Sequence, residues 1–587
     1  MNEKTVVFLD SYAVGDNCSY RFSGLLEEIS AKTVAEVIPA LQKLESCVEQ
    51  GRHAAGFISY EAAAAFDSDL VTRPHGEFPL LWFGLFADRR TVTAVPVKEK
   101  SATEDSNHTL SCWESSLSCG DYDTAIERIK GYIAAGDTYQ VNFTMRQRFG
   151  FSGSEKSFYR ELCRSQRAPY CAFLDLGRYS VLSTSPELFF KLKGGRLTTR
   201  PMKGTAKRGR WGDEDAKIVA EFKENAKERA ENLMIVDLLR NDMGRVSETG
   251  SVQVASLFDV ERLETLHQMT STITSQLRPG TTIVELFRAL FPCGSVTGAP
   301  KKRTMEIIAE LEDSPRGLYT GCIGYLSPNQ EAVFNVAIRT AVIDRDTGRG
   351  ELGLGSGITW DSVADSEYEE CLAKGRFLRS PVPEFKLLES ILFEEGSGYF
   401  LLERHLHRLS RSAAYFGFSP VRENIGEILE KRAVALQGPH KVRLLLSRTG
   451  AFSIESEPIS GEMGEGLPTI TYAEARVDSS NPFLYHKTDN RALYSSEQAK
   501  KPGCADLVFL NERDEVTEGA VHNIVLRVNG ELVTPRLESG LLPGTFREEL
   551  LAVGEIREQT ITGRDLDQAE EIYLINSVRR WRKVRLI

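Results

Sequence analysis

The 587-residue chain is too long for one hydrophobic core, so at least two domains are expected. Hydrophobic residues at 41% and charged residues at 26% are ordinary for a soluble globular protein. A net charge of −11 without a long basic tract argues against a nucleic-acid partner. It also obliges any site for a small anion to gather its own cations.

No run approaches about eighteen apolar residues, so no membrane span is expected. Residues 1–8 lack the apolar core and small-residue cleavage site of a secretion signal. The ten cysteines are scattered, with no pair at C-x-x-C spacing, and read as reduced residues of a cytoplasmic protein.

In chain order, an N-terminal subregion runs to about residue 105 and fades into a polar Ser/Thr/Glu-rich stretch over 98–118. Strand-like runs follow at 179–184, 188–192 and 333–343, the first two ahead of the short turn Lys193-Gly194-Gly195-Arg196. A long helix is predicted over 216–241, with Ile218, Val219, Phe222, Leu233, Met234, Val236 and Leu239 at helical spacing. A second helix is predicted over 366–377. Strands joined both by turns and by helices argue for α+β rather than a repeated βαβ array. Pro381 and Pro383 then stop the helix and suit an extended linker. The expected domains are 1–380 and 385–587.

Two acidic pairs stand out. Glu228 and Glu231, and again Glu367 and Glu370, lie three apart on predicted helices and so share a face. Either pair alone is equally a solvated helix face. Facing one cavity, the four would repel unless a divalent cation sat between them, and carboxylates without His or Cys suit Mg²⁺. Lys203 follows Glu187 by sixteen residues and sits near Arg200, Lys207, Arg208 and Arg210. It is either one more member of a basic loop or a lysine whose amine those charges and burial keep neutral.

The segments Ser185-Pro186-Glu187-Leu188-Phe189-Phe190, Arg200-Pro201-Met202-Lys203-Gly204-Thr205, Glu231 to Asp242, and Gly355-Ser356-Gly357 followed by Asp365 to Lys374 resemble the chorismate-utilising enzymes. The resemblance implies large, mostly antiparallel sheets with the active site between them. It implies Glu228, Glu231, Glu367 and Glu370 as Mg²⁺ residues. His267, Ser295, Tyr319, Arg339, Gly355, Ser356, Gly357 and Lys374 are implied at substrate positions, and Gln140 and Asn142 in the same region. A lysine at 203, where most of that family carries a small residue, marks aminodeoxychorismate synthase component I. There it implies a covalent nucleophile, with Glu187 as the acid that protonates the departing hydroxyl. That acid must hold a proton near neutral pH, which requires burial or neighbouring carboxylates.

From 385 onward the chain resembles fold-type IV pyridoxal-phosphate enzymes, the branched-chain aminotransferase-like α/β class that includes aminodeoxychorismate lyase. The matching segments are Arg404 to Leu409, His486 to Arg491, Val516 to Gly519, Asn523 and Gly540 to Arg547. Singly each is weak, and Lys487 alone reads as a surface lysine. Together they imply Lys487 as the lysine that bonds pyridoxal 5'-phosphate and Glu518 as the partner of its ring nitrogen. They imply Arg408, Asn523, Gly544 and Thr545 as further cofactor contacts, the last two at a helix start suited to phosphate. The segment reads as lacking the strand-rich opening of separate lyases, which leaves its dimer interface and lid to be completed by other surface.

The implied activity is two-step: amination of chorismate to aminodeoxychorismate, then loss of pyruvate to give 4-aminobenzoate. No G-x-C-x-G turn with a following His and Glu is present, so a separate glutamine amidotransferase subunit is the expected ammonia source. A homodimer through the second domain is a further implication. The alternatives are an anthranilate- or isochorismate-type synthase joined to an aminotransferase, or a second domain that binds its ligand without turnover.

Overall fold

The computed structural model describes residues 7–12, 18–93, 108–379, 381–459 and 466–587. Residues 98–107 of the polar stretch, Ser380 at the expected domain break and the opening residues 1–6 lie outside this set. No helix among the described residues is long and apolar enough to cross a membrane.

The chain forms two compact units, Met1–Lys207 with Val219–Val382, and Arg208–Ile218 with Pro383–Ile587. Residues 208–218 thus leave the expected first domain and build into the second. The reason is local: Tyr415 Oη donates to the Gly209 carbonyl at 2.6 Å, and Arg208 donates to the Tyr415 carbonyl at 3.0 Å. Arg210 donates to Tyr485 Oη at 3.1 Å, and Trp211 packs against the Tyr485 ring at 4.9 Å.

In the first unit, every strand pairing that positions the site is antiparallel. The central pair is Gln140–Gly153 against Arg349–Ile358, in register from Val141↔Ile358 to Gly150↔Arg349. Strand alternation sorts the first of these cleanly. Val141, Phe143 and Met145 enter a buried apolar cluster with Tyr122, Phe149 and Phe173. Asn142, Thr144 and Arg146 face the other way, opposite Gly357, Gly355 and Gly353. Helices Ala226–Gly244 and Ala364–Arg379 lie against this sheet system.

Two predicted elements are split. The helix over 216–241 is two helices, Gly212–Glu224 and Ala226–Gly244. Asn225 breaks it, its side chain accepting from the Lys227 and Glu228 N–H groups as an N-cap. The strand over 333–343 is Glu331–Val336 and Thr340–Asp344, parted at Arg339, whose φ of 49° is left-handed.

The second unit opens on strand Leu387–Glu394 in a four-stranded antiparallel sheet, so it does not lack strands at its start. A seven-stranded sheet follows, with parallel and antiparallel pairings. Helix Leu402–Phe416 packs on the first strand. The cores of the two sheets are built from Ile391, Phe393 and Val442, and from Ile470, Val508, Ile524 and Leu574.

Candidate active sites

The first unit holds a cavity of about 310 Å³. Its floor is strand Arg349–Ile358. Gly353, Gly355 and Gly357 face one side, and a side chain at any of them would fill the site. A Cβ at Gly353 would overlap the Tyr319 ring, one at Gly355 would come within 3.2 Å of Tyr319 Oη, and one at Gly357 would overlap Lys203 Nζ. The same alternation turns the Ser356 hydroxyl away, 3.0 Å from Tyr122 Oη in the core, leaving the Ser356 main chain to the cavity.

Lys203 comes from strand Met202–Lys207, which Asn232 clamps. Asn232 Nδ2 donates to the Lys203 carbonyl at 3.1 Å and Ser271 Oγ donates to Asn232 Oδ1 at 2.6 Å. Lys203 Nζ lies 3.6 Å from Glu231 Oε2. The arginines that are its sequence neighbours are paired elsewhere: Arg200 with Glu261, Arg208 with Asp215 and Arg210 with Glu214. Glu187 is 2% exposed. Burial pushes its carboxyl up to about 7, against the pull of the Ser295 hydroxyl, the Met202 N–H and the Lys203 charge. A buried carboxyl that holds its proton near neutral pH can act as an acid.

Glu228, Glu231, Glu367 and Glu370 all line this cavity, the first pair from helix Ala226–Gly244 and the second from Ala364–Arg379. Burial raises the Glu228 carboxyl, and the Glu231 charge raises it further. For Glu370 burial acts upward too, but Lys374, 2.7 Å away, outweighs it and holds the group below its usual range. No three of these carboxylates bring oxygens within 4.8 Å of one another; among the described residues only Cys119, Asp123 and Asp365 do, and they are exposed. An all-oxygen donor set, in which the Glu231 charge still raises Glu228 despite Lys203 nearby, fits Mg²⁺.

Arg339 also lines the cavity. It donates to Gln166 Oε1 at 2.8 Å, and among the described residues it has no carboxylate partner. Burial lowers it to about 10. A desolvated guanidinium without an anion fits a ligand carboxylate. Ser295, Tyr319 and Lys374 line the cavity as well, and Lys374 Nζ donates to the Gly355 carbonyl at 3.0 Å. His267 is the exception. It is buried but does not line the cavity, whereas Leu266 and Gln268 on either side do, so alternation carries the imidazole to the other face. Asn142 lines the cavity and Gln140 does not.

The second unit holds a cavity of about 610 Å³ lined by Arg408, Lys487, Glu518, Asn523, Gly544 and Thr545. The Lys487 amine has no hydrogen bond or ion pair among the described residues. Burial, helped by Arg408, lowers it to about 8. Burial raises Glu518 to about 7, while Tyr494 Oη (2.9 Å) and the Leu542 N–H (3.1 Å) donate to its oxygens. Gly544 caps helix Thr545–Ala552, and a Cβ there would overlap Asn523 Oδ1. Arg408 is not a free cation. Glu389 takes its Nε and Nη2 at 2.9 and 2.7 Å, and the Pro543 carbonyl takes Nη1 at 2.9 Å. An unpartnered lysine amine, a buried carboxyl for a ring nitrogen and free helix N–H groups fit pyridoxal phosphate.

Several cavity residues escaped the sequence reading. Gly353 extends the glycine face by one more alternation, a period that was legible. Lys441, Arg443, His522, Arg579 and Arg582 reach the second cavity from strands and a turn far apart in the chain, and no local pattern marks them.

Two separate small-molecule sites on an α+β scaffold, one rich in carboxylates and one built round an isolated lysine, define a two-site enzyme class. The chain belongs to the chorismate binding enzyme family, whose model matches residues 6–380, and the amino-transferase class IV model matches 386–587. Anthranilate synthase component 1 of Aquifex aeolicus is 40% identical over 271 residues, 46% of this chain and 54% of that protein. Aminodeoxychorismate synthase component 1 of Bacillus subtilis is 42% identical over 253 residues, 43% of this chain and 53% of that protein. The chain thus spans about half the length of these curated relatives. The crystal structure of anthranilate synthase component I from Streptococcus pneumoniae matches with a TM-score of 0.55 and 25% identity, over 63% of this chain and 93% of that one.

Proposed function

We propose that the chain converts chorismate to 4-aminobenzoate in two steps, one in each unit. The observation that carries the first step is Lys203 Nζ, set over Gly357 in the cavity that also holds the buried Glu187 carboxyl. Lys203 adds to the chorismate ring at C2. The C4 hydroxyl leaves as water with the Glu187 proton. Ammonia then bonds to C4 and the lysine departs from C2, giving aminodeoxychorismate. Glu228, Glu231, Glu367 and Glu370 would hold Mg²⁺, which supplies positive charge beside a substrate carboxylate. Arg339 takes the other carboxylate. Relatives named as component 1 imply a second component, and a glutamine amidotransferase subunit that delivers ammonia fits that role.

In the second unit Lys487, Glu518, Asn523, Gly544 and Thr545 would hold pyridoxal phosphate, which supplies an electron-accepting ring when bound. Lys487 takes the proton from the carbon bearing the amine. The neighbouring C3–O bond then breaks, pyruvate leaves in its enol form, and the six-membered ring becomes aromatic. An aminotransferase for apolar amino acids is the competing reading. Favouring a dicarboxylate instead is the basic rim of the cavity, with Arg443, Arg491, Arg579 and Arg582, beside Lys441, which Glu457 in the same lining takes at 2.7 Å. Among the described residues Arg579 has no carboxylate partner.

The test is to incubate the chain with chorismate, ammonium and Mg²⁺, with and without pyridoxal phosphate, and to identify products by mass. Cofactor-dependent 4-aminobenzoate and pyruvate are expected. Anthranilate or isochorismate would overturn the reading of Lys203. Aminodeoxychorismate that persists with the cofactor bound would overturn the lyase step.

A further inference from the structure

One residue of the second cavity, His522, is held by a buried carboxylate behind it, and the reaction above leaves both unused. Asp506, fully buried on strand Asp506–Val508, accepts from His522 Nδ1 at 2.6 Å. Three main-chain donors fix the carboxylate: Leu507 N–H at 2.8 Å and Ala520 N–H at 2.7 Å on Oδ1, and Val521 N–H at 3.2 Å on Oδ2. Only glycine fits at 519, because a Cβ there would come within 2.6 Å of Asp506 Oδ2. The turn 519–522 is therefore drawn tightly over the carboxylate, and the imidazole is held by one nitrogen. His522 lines the cavity with Lys487, Arg491 and Tyr494. Among the described residues its Nε2 makes no hydrogen bond. A carboxylate on Nδ1 holds the ring in place and leaves Nε2 able to exchange a proton with a ligand.

We propose that His522, oriented by Asp506, is the acid of the elimination step. The inference rests on the lyase reading of this cavity. When the C3–O bond of aminodeoxychorismate breaks, its electron pair stays on the ether oxygen. That oxygen takes the proton from His522 Nε2 as the enol of pyruvate departs. The proton lost from C4 goes to Lys487, and His522 recovers its own from solvent. Lys487 and His522 thereby divide the work of base and acid between two nitrogens of different environment.

The test uses the full chain loaded with pyridoxal phosphate, in wild type, His522→Gln and His522→Ala. A glutamine amide can still donate to Asp506, so His522→Gln separates the fold of the turn from the proton. Both variants should keep the cofactor absorbance and the melting temperature, while 4-aminobenzoate release from aminodeoxychorismate falls by about 10²-fold or more. Added imidazole should restore part of the rate to His522→Ala and none to His522→Gln, where the space is filled. Independently of turnover, diethylpyrocarbonate should modify His522 in the wild type, and 4-aminobenzoate should slow that modification. Undiminished release in His522→Ala, a loss that follows cofactor loss alone, or modification of His522 unaffected by 4-aminobenzoate would each overturn the proposal. Wild type that takes up the cofactor and releases no pyruvate would overturn the lyase reading, and the proposal with it.

Discussion

At the scale of single residues, burial decides which titratable groups are available for chemistry. Glu187 and Glu518 are carboxyls raised to about 7, and Lys487 is an amine lowered to about 8, with desolvation the largest cause in each case. In the first unit this yields a direct prediction. Replacing Glu187 with Gln should cut the amination rate by about 10² to 10⁴-fold with chorismate binding little changed. The wild-type rate should fall as pH rises through about 7, where Glu187 loses its proton, and the variant should lack that limb. Stability should move in the same direction as the rate, over a wider window. Between about 4.5 and 7 the folded state binds more protons at this residue than the unfolded chain, so stability falls as pH rises through that window. Glu187→Gln should therefore be the more stable protein above pH 7, by on the order of 3 kcal/mol, measured by denaturant melts at pH 5 and 8. In the second unit, borohydride should fix the cofactor on Lys487, and Lys487→Ala should lose both that adduct and the near-visible absorbance of the bound cofactor. Intact absorbance in the variant would move the cofactor lysine elsewhere.

At the scale of elements, the glycine face of strand Arg349–Ile358 separates stability from function. Gly353 meets the body of the buried Tyr319 ring at the cavity wall, whereas Gly357 meets the far end of a lysine and of Gln140. Gly353→Ala should cost about 1–3 kcal/mol through overpacking, read as a lower melting temperature. Gly357→Ala should melt near the wild type, because Lys203 can swing aside, and yet lose amination. Equal melting losses in the two variants would remove this distinction. The elements themselves were partly legible. The apolar spacing over 216–241 is helical throughout, but it does not reveal that Asn225 caps a second helix, since an Asn amide competes for backbone only where the chain is free to turn. Glu228 and Glu231 kept their predicted shared face because both fall after that break. His267 failed for a different reason. A strand residue's facing depends on register, and register is set by partner strands distant in sequence.

At the scale of the whole chain, each unit carries its own cavity and its own lysine. Lys203→Ala and Lys487→Ala chains should each fail to make 4-aminobenzoate from chorismate, and a mixture of the two should make it, with aminodeoxychorismate accumulating in Lys487→Ala alone. No product from the mixture would mean that the intermediate does not pass between chains. Mg²⁺ should stabilise the wild type against unfolding by up to about 2.7 kcal/mol at a hundredfold excess over its dissociation constant, read as a higher melting temperature, and should do less for Glu231→Gln. The sequence by itself determined what is local. It determined the residue types, the helical spacing of the acidic pairs, the small residues of the glycine strand and the motifs that mark two enzyme families in order. Tertiary structure decided what depends on neighbours far apart in the chain. It placed residues 208–218 with the second unit, gave Arg339 no carboxylate partner among the described residues, neutralised Arg408 with Glu389 and joined Asp506 to His522. Charge, burial and partner are properties of an environment assembled from many segments, and a single stretch of sequence carries only its own contribution to it.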